Sequence, residues 1–371
     1  MFKFLIQIEP LGLLYGSAGR FLSPENLVGR SGMSFPPSSA TVSGMFAAAK
    51  GWSDPTKGRE FCIAGPFWAT CDEPQNFYVP APFNCLVKEE KVTEVMQWRE
   101  NCTLWDEKNL DEKKKSDGTE NPDYEAIWRS MSWEKGAWAV HHPKSEHPWQ
   151  LPTNDKFQKG TWIAIGDWEK LQNKGMPTVK KEPWKPLPHL HPKLQDDQRR
   201  VTTDLEGGSL FLENAMQMEP GTCLVYLASE PIDPGWYRFG GEGHMVEVRC
   251  EAIGEPLTKL LAESVGREFA LITPAVWGSN RLSGRSPQQL EERVTTMLTE
   301  RPTAFRYRLG DHEGQKPGQP KRLSRGRYAV SAGTVYVMKE ALPPWEEWSE
   351  EWFPKEGPSL KRWGLGLALK I

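Results

Sequence analysis

The sequence predicts an α+β fold built mainly from strands, and two observations carry that reading. Apolar runs of strand length recur from the first residues to the last, and helical periodicity is confined to three short stretches among them. Strands with few intervening helices suit an α+β arrangement better than a doubly wound one. At 371 residues the chain can bury a sizeable core and is expected to form two compact domains, residues 1–255 and 256–371.

The elements follow in order. Residues 4–8 alternate as a strand and lead into a long glycine-bearing loop, 11–35. Val42, Met45, Phe46 and Ala49 then fall at i, i+3, i+4 and i+7, which turns one face of a helix inward. Ser38 or Ser39 can cap its start, and Gly51 can end it. Further strands are expected over 66–70 and 77–87. A large insertion occupies roughly residues 100–195: 106–125 is dense in charge and nearly free of apolar residues, which reads as solvated. The prolines at 177, 183, 186, 188 and 192 make 174–193 extended rather than helical. Strands are expected again over 209–212, 223–228 and 244–250, then a helix over 257–265 and a strand over 269–273. The tail offers strands over 304–309, 328–330, 334–338 and 365–371. Trp345, Trp348 and Trp352 fall at i, i+3 and i+7, one helical stripe suited first to core packing and second to partner contact.

Net charge is −3, so nucleic-acid contact would have to come from local basic patches rather than from the chain as a whole. No apolar stretch approaches a membrane span, and the opening residues lack the pattern of a signal peptide. Six cysteines without paired spacing read as reduced thiols in a cytoplasmic protein, and zinc is not expected. Seventeen tryptophans can stack on bases, but most are expected in cores or interfaces.

Catalytic constellations are missing from the pattern. There is no phosphate-binding GxxxxGK[ST], no HExxH and no nucleophile elbow. The turn Gly240-Gly241-Glu242-Gly243 carries one acidic residue where a metal clamp needs two. The chain is expected to be no enzyme and to need no cofactor or metal.

Three segments can meet RNA. The first is the loop 12–32 with Arg20 and Arg30, whose guanidiniums and exposed amides beside a helix start can grip phosphates. An ordinary surface loop is the alternative. The second is Trp236-Tyr237-Arg238-Phe239-Gly240-Gly241-Glu242-Gly243-His244, where bare backbone at Gly240, Gly241 and Gly243 permits close approach and Arg238 supplies charge. A tight strand-to-strand turn is the alternative, and Arg199-Arg200 upstream can join the patch. The third is the ending, where Lys361, Arg362 and Trp363 precede Gly364 and Gly366 in an apolar strand. Its glycines can hold an edge open to a phosphate backbone, or pack a closing core strand.

Four segments carry a resemblance. They are Phe35-Pro36-Pro37-Ser38-Ser39-Ala40-Thr41-Val42-Ser43-Gly44 with the strand and loop before it, Phe239-Gly240-Gly241-Glu242-Gly243, Leu271-Ile272-Thr273-Pro274-Ala275, and Ser331-Ala332-Gly333-Thr334-Val335-Tyr336 followed by 363–371. Taken in order, they resemble the RAMP superfamily of CRISPR proteins, specifically the third subunit of the type III-B Cmr effector module. Residues 100–195 lie outside the resemblance. It implies two ferredoxin-like (RRM-like) domains, a guide crRNA held by its 5′ tag, and a capped backbone filament. It also implies two protein partners, the large palm-domain subunit and a backbone RAMP subunit. Two other readings stand beside it. One is a RAMP endoribonuclease processing guide precursors, with His244 or His141 as general base. The other is a protein–protein adaptor without RNA contact.

Overall fold

A computed structural model describes residues 2–15, 35–52, 60–100, 136–145, 148–152, 160–192, 200, 210–240, 243–279, 281–309, 323–356 and 359–371. Two antiparallel sheets organise it. The larger has eight strands: β1 (Phe4–Pro10), β2 (Ile63–Thr70), β3 (Tyr78–Pro80), β4 (Thr161–Ala164), β5 (Val179–Lys181), β8 (Thr222–Ala228), β9 (Gly235–Phe239) and β10 (His244–Ala252), ordered β5-β4-β3-β2-β8-β1-β10-β9. The hairpin β6 (Trp184–Pro192) and β7 (Leu210–Met218) pairs along its whole length and recruits the two-residue strand Leu14–Tyr15. The smaller sheet holds β11 (Gly266–Leu271), β12 (Val294–Leu298), β13 (Val335–Leu342) and β14 (Ala368–Lys370), ordered β12-β13-β11-β14.

The two sheets share one internal plan. Counting β1, β2, β8 and β10 as first to fourth, their spatial order is second-third-first-fourth, and β11 to β14 repeat it. In the large sheet the first and second strands are joined through helix α1 (Ser39–Ala49). In the small sheet the corresponding stretch holds, among the described residues, the short strand pair Trp277–Gly278 and Ser283–Gly284 and a 3₁₀ turn, Gln288–Arg293, in place of an α-helix. Helices α2 (Trp168–Gln172) and α3 (Glu255–Ala262) complete the α-helical content of the described residues.

Period-two alternation sends the large sheet's side chains into two cores. Leu5, Phe67, Val225 and Leu227 share one core with Phe269, Leu271, Tyr336, Trp345 and Trp348 from the C-terminal part. Ile6, Ile8, Leu224, Tyr226, Val246 and Val248 share the other with Val42, Met45 and Phe46 of α1, and with Tyr307, Leu360 and Trp363. The central strands therefore bury both faces, which is why they read as continuous apolar runs.

Several expectations shift. Ala49 is exposed, because the last turn of α1 has run past the edge of the core. The strand expected over 77–87 is two, Tyr78–Pro80 and Cys85–Lys88, separated at Ala81-Pro82, where proline cannot donate to a ladder. Residues 161–164 and 179–181, expected within an insertion, extend the main sheet. The prolines of 174–193 do leave that stretch extended, as β5 and β6. The tryptophan stripe is not one helix: Trp345–Glu347 and Glu350–Trp352 are separate 3₁₀ turns, divided by Trp348 with ψ at 138°. Trp345 and Trp348 are nonetheless buried in the first core. The charged run 106–125 lies outside the described residues.

Candidate nucleic-acid interface

Helix α1 links two of the three segments singled out from sequence. It packs on the inner face of the large sheet, where it contacts both β9 and the 3₁₀ turn Leu360–Trp363. Ser38 occupies the N-cap in extended conformation but makes no side-chain cap bond. Ser39 Oγ instead donates to the Gly65 carbonyl at 3.0 Å, and Tyr226 Oη donates to the Pro37 carbonyl. The helix start is thereby fixed to the sheet through its flanks. The strand Leu14–Tyr15 pairs with β7, which places Tyr15 on the same small sheet as the β6–β7 hairpin.

The β9–β10 hairpin turns as its glycines predict. Gly240 and Gly243 take φ of +73° and +68°, and the Gly243 N–H donates to the Gly240 carbonyl at 3.3 Å. Register places Arg238 opposite Met245, Trp236 opposite Glu247 and Phe239 opposite His244. Phe239 is buried towards α1 with His244 half-buried beside it, so Arg238 and Trp236 point away from the helix. Trp236 is 71% exposed at the free edge of the sheet, and Arg238 is exposed next to it. An aromatic face beside a guanidinium can stack a base and neutralise its phosphate.

The tail corrects the third segment. Lys361 is 5% exposed, and its ammonium donates to the carbonyls of Glu346 and Trp348 rather than facing solvent. Burial lowers its pKa, against the opposing pull of Glu350 and Glu346. Gly364 and Gly366 hold no open edge. A Cβ at Gly364 would lie 2.2 Å from Ala64 Cβ, and one at Gly366 would lie 2.6 Å from the Trp277 ring. Thr273 clamps this turn: its hydroxyl donates to the Gly364 carbonyl at 2.6 Å and accepts from the Leu367 N–H at 2.9 Å. Lys361, Gly364 and Gly366 serve the fold here.

Beside them lies a cluster that sequence reasoning did not assemble. Tyr307 meets the Trp363 ring edge-on with centroids 4.3 Å apart, and the Arg362 guanidinium lies 5.4 Å from the same ring. Arg327 is 6% exposed and pairs through Nη1 with Glu356 at 2.5 Å. Arg327 Nε and Nη2, Arg362 Nε, Tyr307 Oη and Trp363 Nε1 are all buried without a hydrogen-bond partner among the described residues. Burial raises the Tyr307 phenol, assisted by Glu356, and lowers Arg362. Among the described residues the two guanidiniums carry more donors than Glu356 accepts, and the unmatched nitrogens are buried within the fold. No sequence signal linked residues 307, 327 and 362, because only the folded hairpin Thr303–Phe305 with Arg327–Ala329 brings them to the tail.

Arg200 is exposed, whereas Arg20, Arg30, Arg199 and Gly241 lie outside the described residues. The two histidines weighed as general bases sit on different sheets. His141 closes the strand Ala137–His141, with its ring 4.6 Å from Trp149, and His244 opens β10. Among the described residues no three His, Cys, Asp or Glu side chains gather as a metal site, and no helix is long and apolar enough to cross a membrane.

Residues 23–371 match the family described as CRISPR-associated protein (Cas_Cmr3). The chain belongs to that family. The match takes in the α1 start, the Gly240 turn, Thr273 and the tail, so the resemblance carried by four short segments extends over nearly the whole chain. A search of curated proteins finds no match. Among solved structures, the family member is similar to a chain of a type III-B Cmr-beta complex bound to cognate target RNA: TM-score 0.42, 12% identity, 90% of this chain and 86% of that one. It is also similar to a chain of a Csm1–Csm4 cassette in complex with pppApA: TM-score 0.36, 9% identity, coverage 91% and 87%. A third similarity is to a chain of a Csm3–Csm4 subcomplex of a type III-A interference complex: TM-score 0.32, 9% identity, coverage 92% and 94%.

Proposed function

We propose that this Cas_Cmr3 family member is a non-catalytic, RNA-holding subunit of a type III CRISPR effector particle. It grips the 5′ tag of the guide RNA, caps the backbone filament and touches the large palm-domain subunit. Two ferredoxin-like units form its frame, a reading supported by the second-third-first-fourth strand order of both sheets; among the described residues α1 is the one crossover helix, β9 stands where the large sheet's second would be, and 3₁₀ turns stand in the small sheet. The observation that carries RNA holding is Arg238 and Trp236 exposed side by side at the sheet edge, on the face turned away from α1. Guanidiniums and N–H donors suit phosphate, and an exposed indole suits a base.

The test is fluorescence anisotropy of the purified chain with a labelled RNA of repeat-tag sequence and a length-matched unrelated RNA, across a salt series. Tighter binding of the tag RNA is expected. The slope of log K against log salt should flatten by about 0.7 for each phosphate-contacting arginine replaced by alanine. Both RNAs should stay intact in chelator throughout. Equal affinity for the two RNAs, no affinity at low salt, or metal-independent cleavage would each overturn the proposal.

A further inference from the structure

Two short hairpins bring an exposed aromatic ring and a group of arginines to one corner. The first pairs Trp277–Gly278 with Ser283–Gly284, and the second pairs Thr303–Phe305 with Arg327–Ala329. Ser283 Oγ joins them, accepting from the Tyr328 N–H at 3.0 Å. In the second hairpin Phe305 packs on the core shared with α1, and Arg327 opposite it is buried. Strand alternation therefore leaves Tyr328 on the outer face, where it is 60% exposed. Leu282, at the tip of the first hairpin, is 76% exposed.

That tip is held firmly. Ser279 Oγ accepts from the N–H groups of Arg281 and Leu282 at 3.2 and 3.1 Å, and the Ser279 N–H donates to the Leu282 carbonyl at 2.9 Å. The turn closes over Gly278, at φ +98°, where a Cβ would lie 2.3 Å from the Leu282 carbonyl oxygen. Below it, buried Trp277 donates from Nε1 to Tyr336 Oη, which in turn donates to the Arg285 carbonyl. A surface ordered in advance loses little entropy when a ligand binds.

The charge of the corner has one sign. Residues 276–286, 301–309 and 323–331 build it and contain seven arginines and no aspartate or glutamate, in a chain of net charge −3. Arg327 is taken by Glu356, and Arg306 donates to the Ser324 carbonyl, so those two serve the hairpin. Arg281 and Arg285 stand two residues either side of Ser283, are exposed, and make no ion pair among the described residues. A protein surface carries both signs, and its cations would find no carboxylate on these segments; a phosphate backbone carries one sign only. An exposed phenol ring suits the face of a base, and guanidiniums suit the phosphates beside it.

We infer that Tyr328, Leu282, Arg281 and Arg285 form a second binding surface, which takes a single-stranded RNA segment other than the one at the Trp236 edge. A base stacks on Tyr328 with Leu282 against its rim, and the two arginines meet the adjoining phosphates. Every base has a face to stack, so the surface holds RNA without reading its sequence. Trp236 and Arg238 point away from α1, whereas this hairpin covers the α1 core, so the two surfaces lie on opposite sides of the large sheet. The second surface goes beyond the guide-tag reading and uses none of its residues.

The test uses the full-length chain and a thiouridine-substituted oligouridine, which shares no tag sequence. Ultraviolet illumination should join the probe to the peptide that carries Tyr328. Tyr328→Ala should weaken binding about fivefold or more, the loss expected for one stacked base, and Tyr328→Phe should bind as wild type. Arg281→Ala combined with Arg285→Ala should flatten the slope of log K against log salt by about 1.4. These side chains are exposed, so melting temperatures should not move. Wild-type affinity in Tyr328→Ala, or an unchanged salt slope in the double variant, would overturn the inference. In the affinity-purified particle, Leu282→p-benzoylphenylalanine should photo-attach to RNA; attachment to protein alone would overturn the inference in favour of a protein partner. If tag RNA still depends on Arg238 while oligouridine ignores Tyr328, this surface fails alone. If neither RNA binds, it falls together with the guide-anchor reading.

Discussion

Replacing Gly364 with alanine separates the two roles open to the glycine-rich tail. Gly364 has φ of +62°, where an L-residue costs about 1 kcal/mol more than glycine. The added methyl would lie 2.2 Å from Ala64 Cβ, 2.5 Å from Ala64 Cα and 3.0 Å from the Ile63 carbonyl oxygen. Those are atoms of β2, a central strand held on both sides, so the clash cannot be relieved by rotating a side chain. Overpacking of this kind adds about 1–3 kcal/mol, giving about 2–4 kcal/mol in all. That is a large share of the roughly 5–15 kcal/mol that holds a folded protein together. Urea unfolding followed by tryptophan fluorescence should show the midpoint falling accordingly. Gly44→Ala is the control. It lies exposed within α1 with nothing within 4 Å of an added Cβ, and should stabilise by about 0.5–1 kcal/mol. An unchanged midpoint for Gly364→Ala together with weaker RNA binding would refute the packed turn and restore the open-edge reading of the tail.

Three further outcomes follow from the same contacts. Lys361→Met keeps the stem but strips the donors from the Glu346 and Trp348 carbonyls; it should lower stability by about 2–3 kcal/mol, and an unfolding midpoint equal to wild type would contradict the buried role. Stability should fall at high pH. Burial pushes the Cys85 thiol from 9.0 up to about 12 and raises Tyr226 and Tyr336. A raised folded-state pKa stabilises fully below pH 9 and is lost as pH climbs towards 12, by about 4 kcal/mol for the thiol alone; Cys85→Ala should therefore flatten the pH dependence of the unfolding midpoint in that window. Arg238→Ala, at an exposed site, should leave the melting temperature unchanged and weaken RNA binding measurably at low salt, and unchanged affinity would remove Arg238 from the interface.

What sequence revealed depended on the range of the interactions involved. The first strand, α1 and the Gly240 turn rest on local periodicity and on glycine's freedom at positive φ, so they could be read directly. The tryptophan segment has helical spacing, yet Pro343, Pro344 and Pro354 flank it and it breaks into two 3₁₀ turns that still bury Trp345 and Trp348. Spacing gave the buried residues there and not the conformation. Lys361 looked like a phosphate contact because a basic pair beside glycines is what such a contact resembles, but its acceptors are carbonyls 13 and 15 residues away. The Arg327 cluster was invisible for a similar reason. Its members come from a hairpin and a tail that meet only over α1's core, and no spacing along the chain encodes that meeting.

Purifying the tagged protein from its native host and sequencing the 5′ ends of the RNA bound to it tests RNA anchoring most directly. Short RNAs that share one repeat-derived 5′ segment and differ beyond it are the expected result. RNAs with scattered 5′ ends, or a stable protein assembly that carries no RNA, would contradict it.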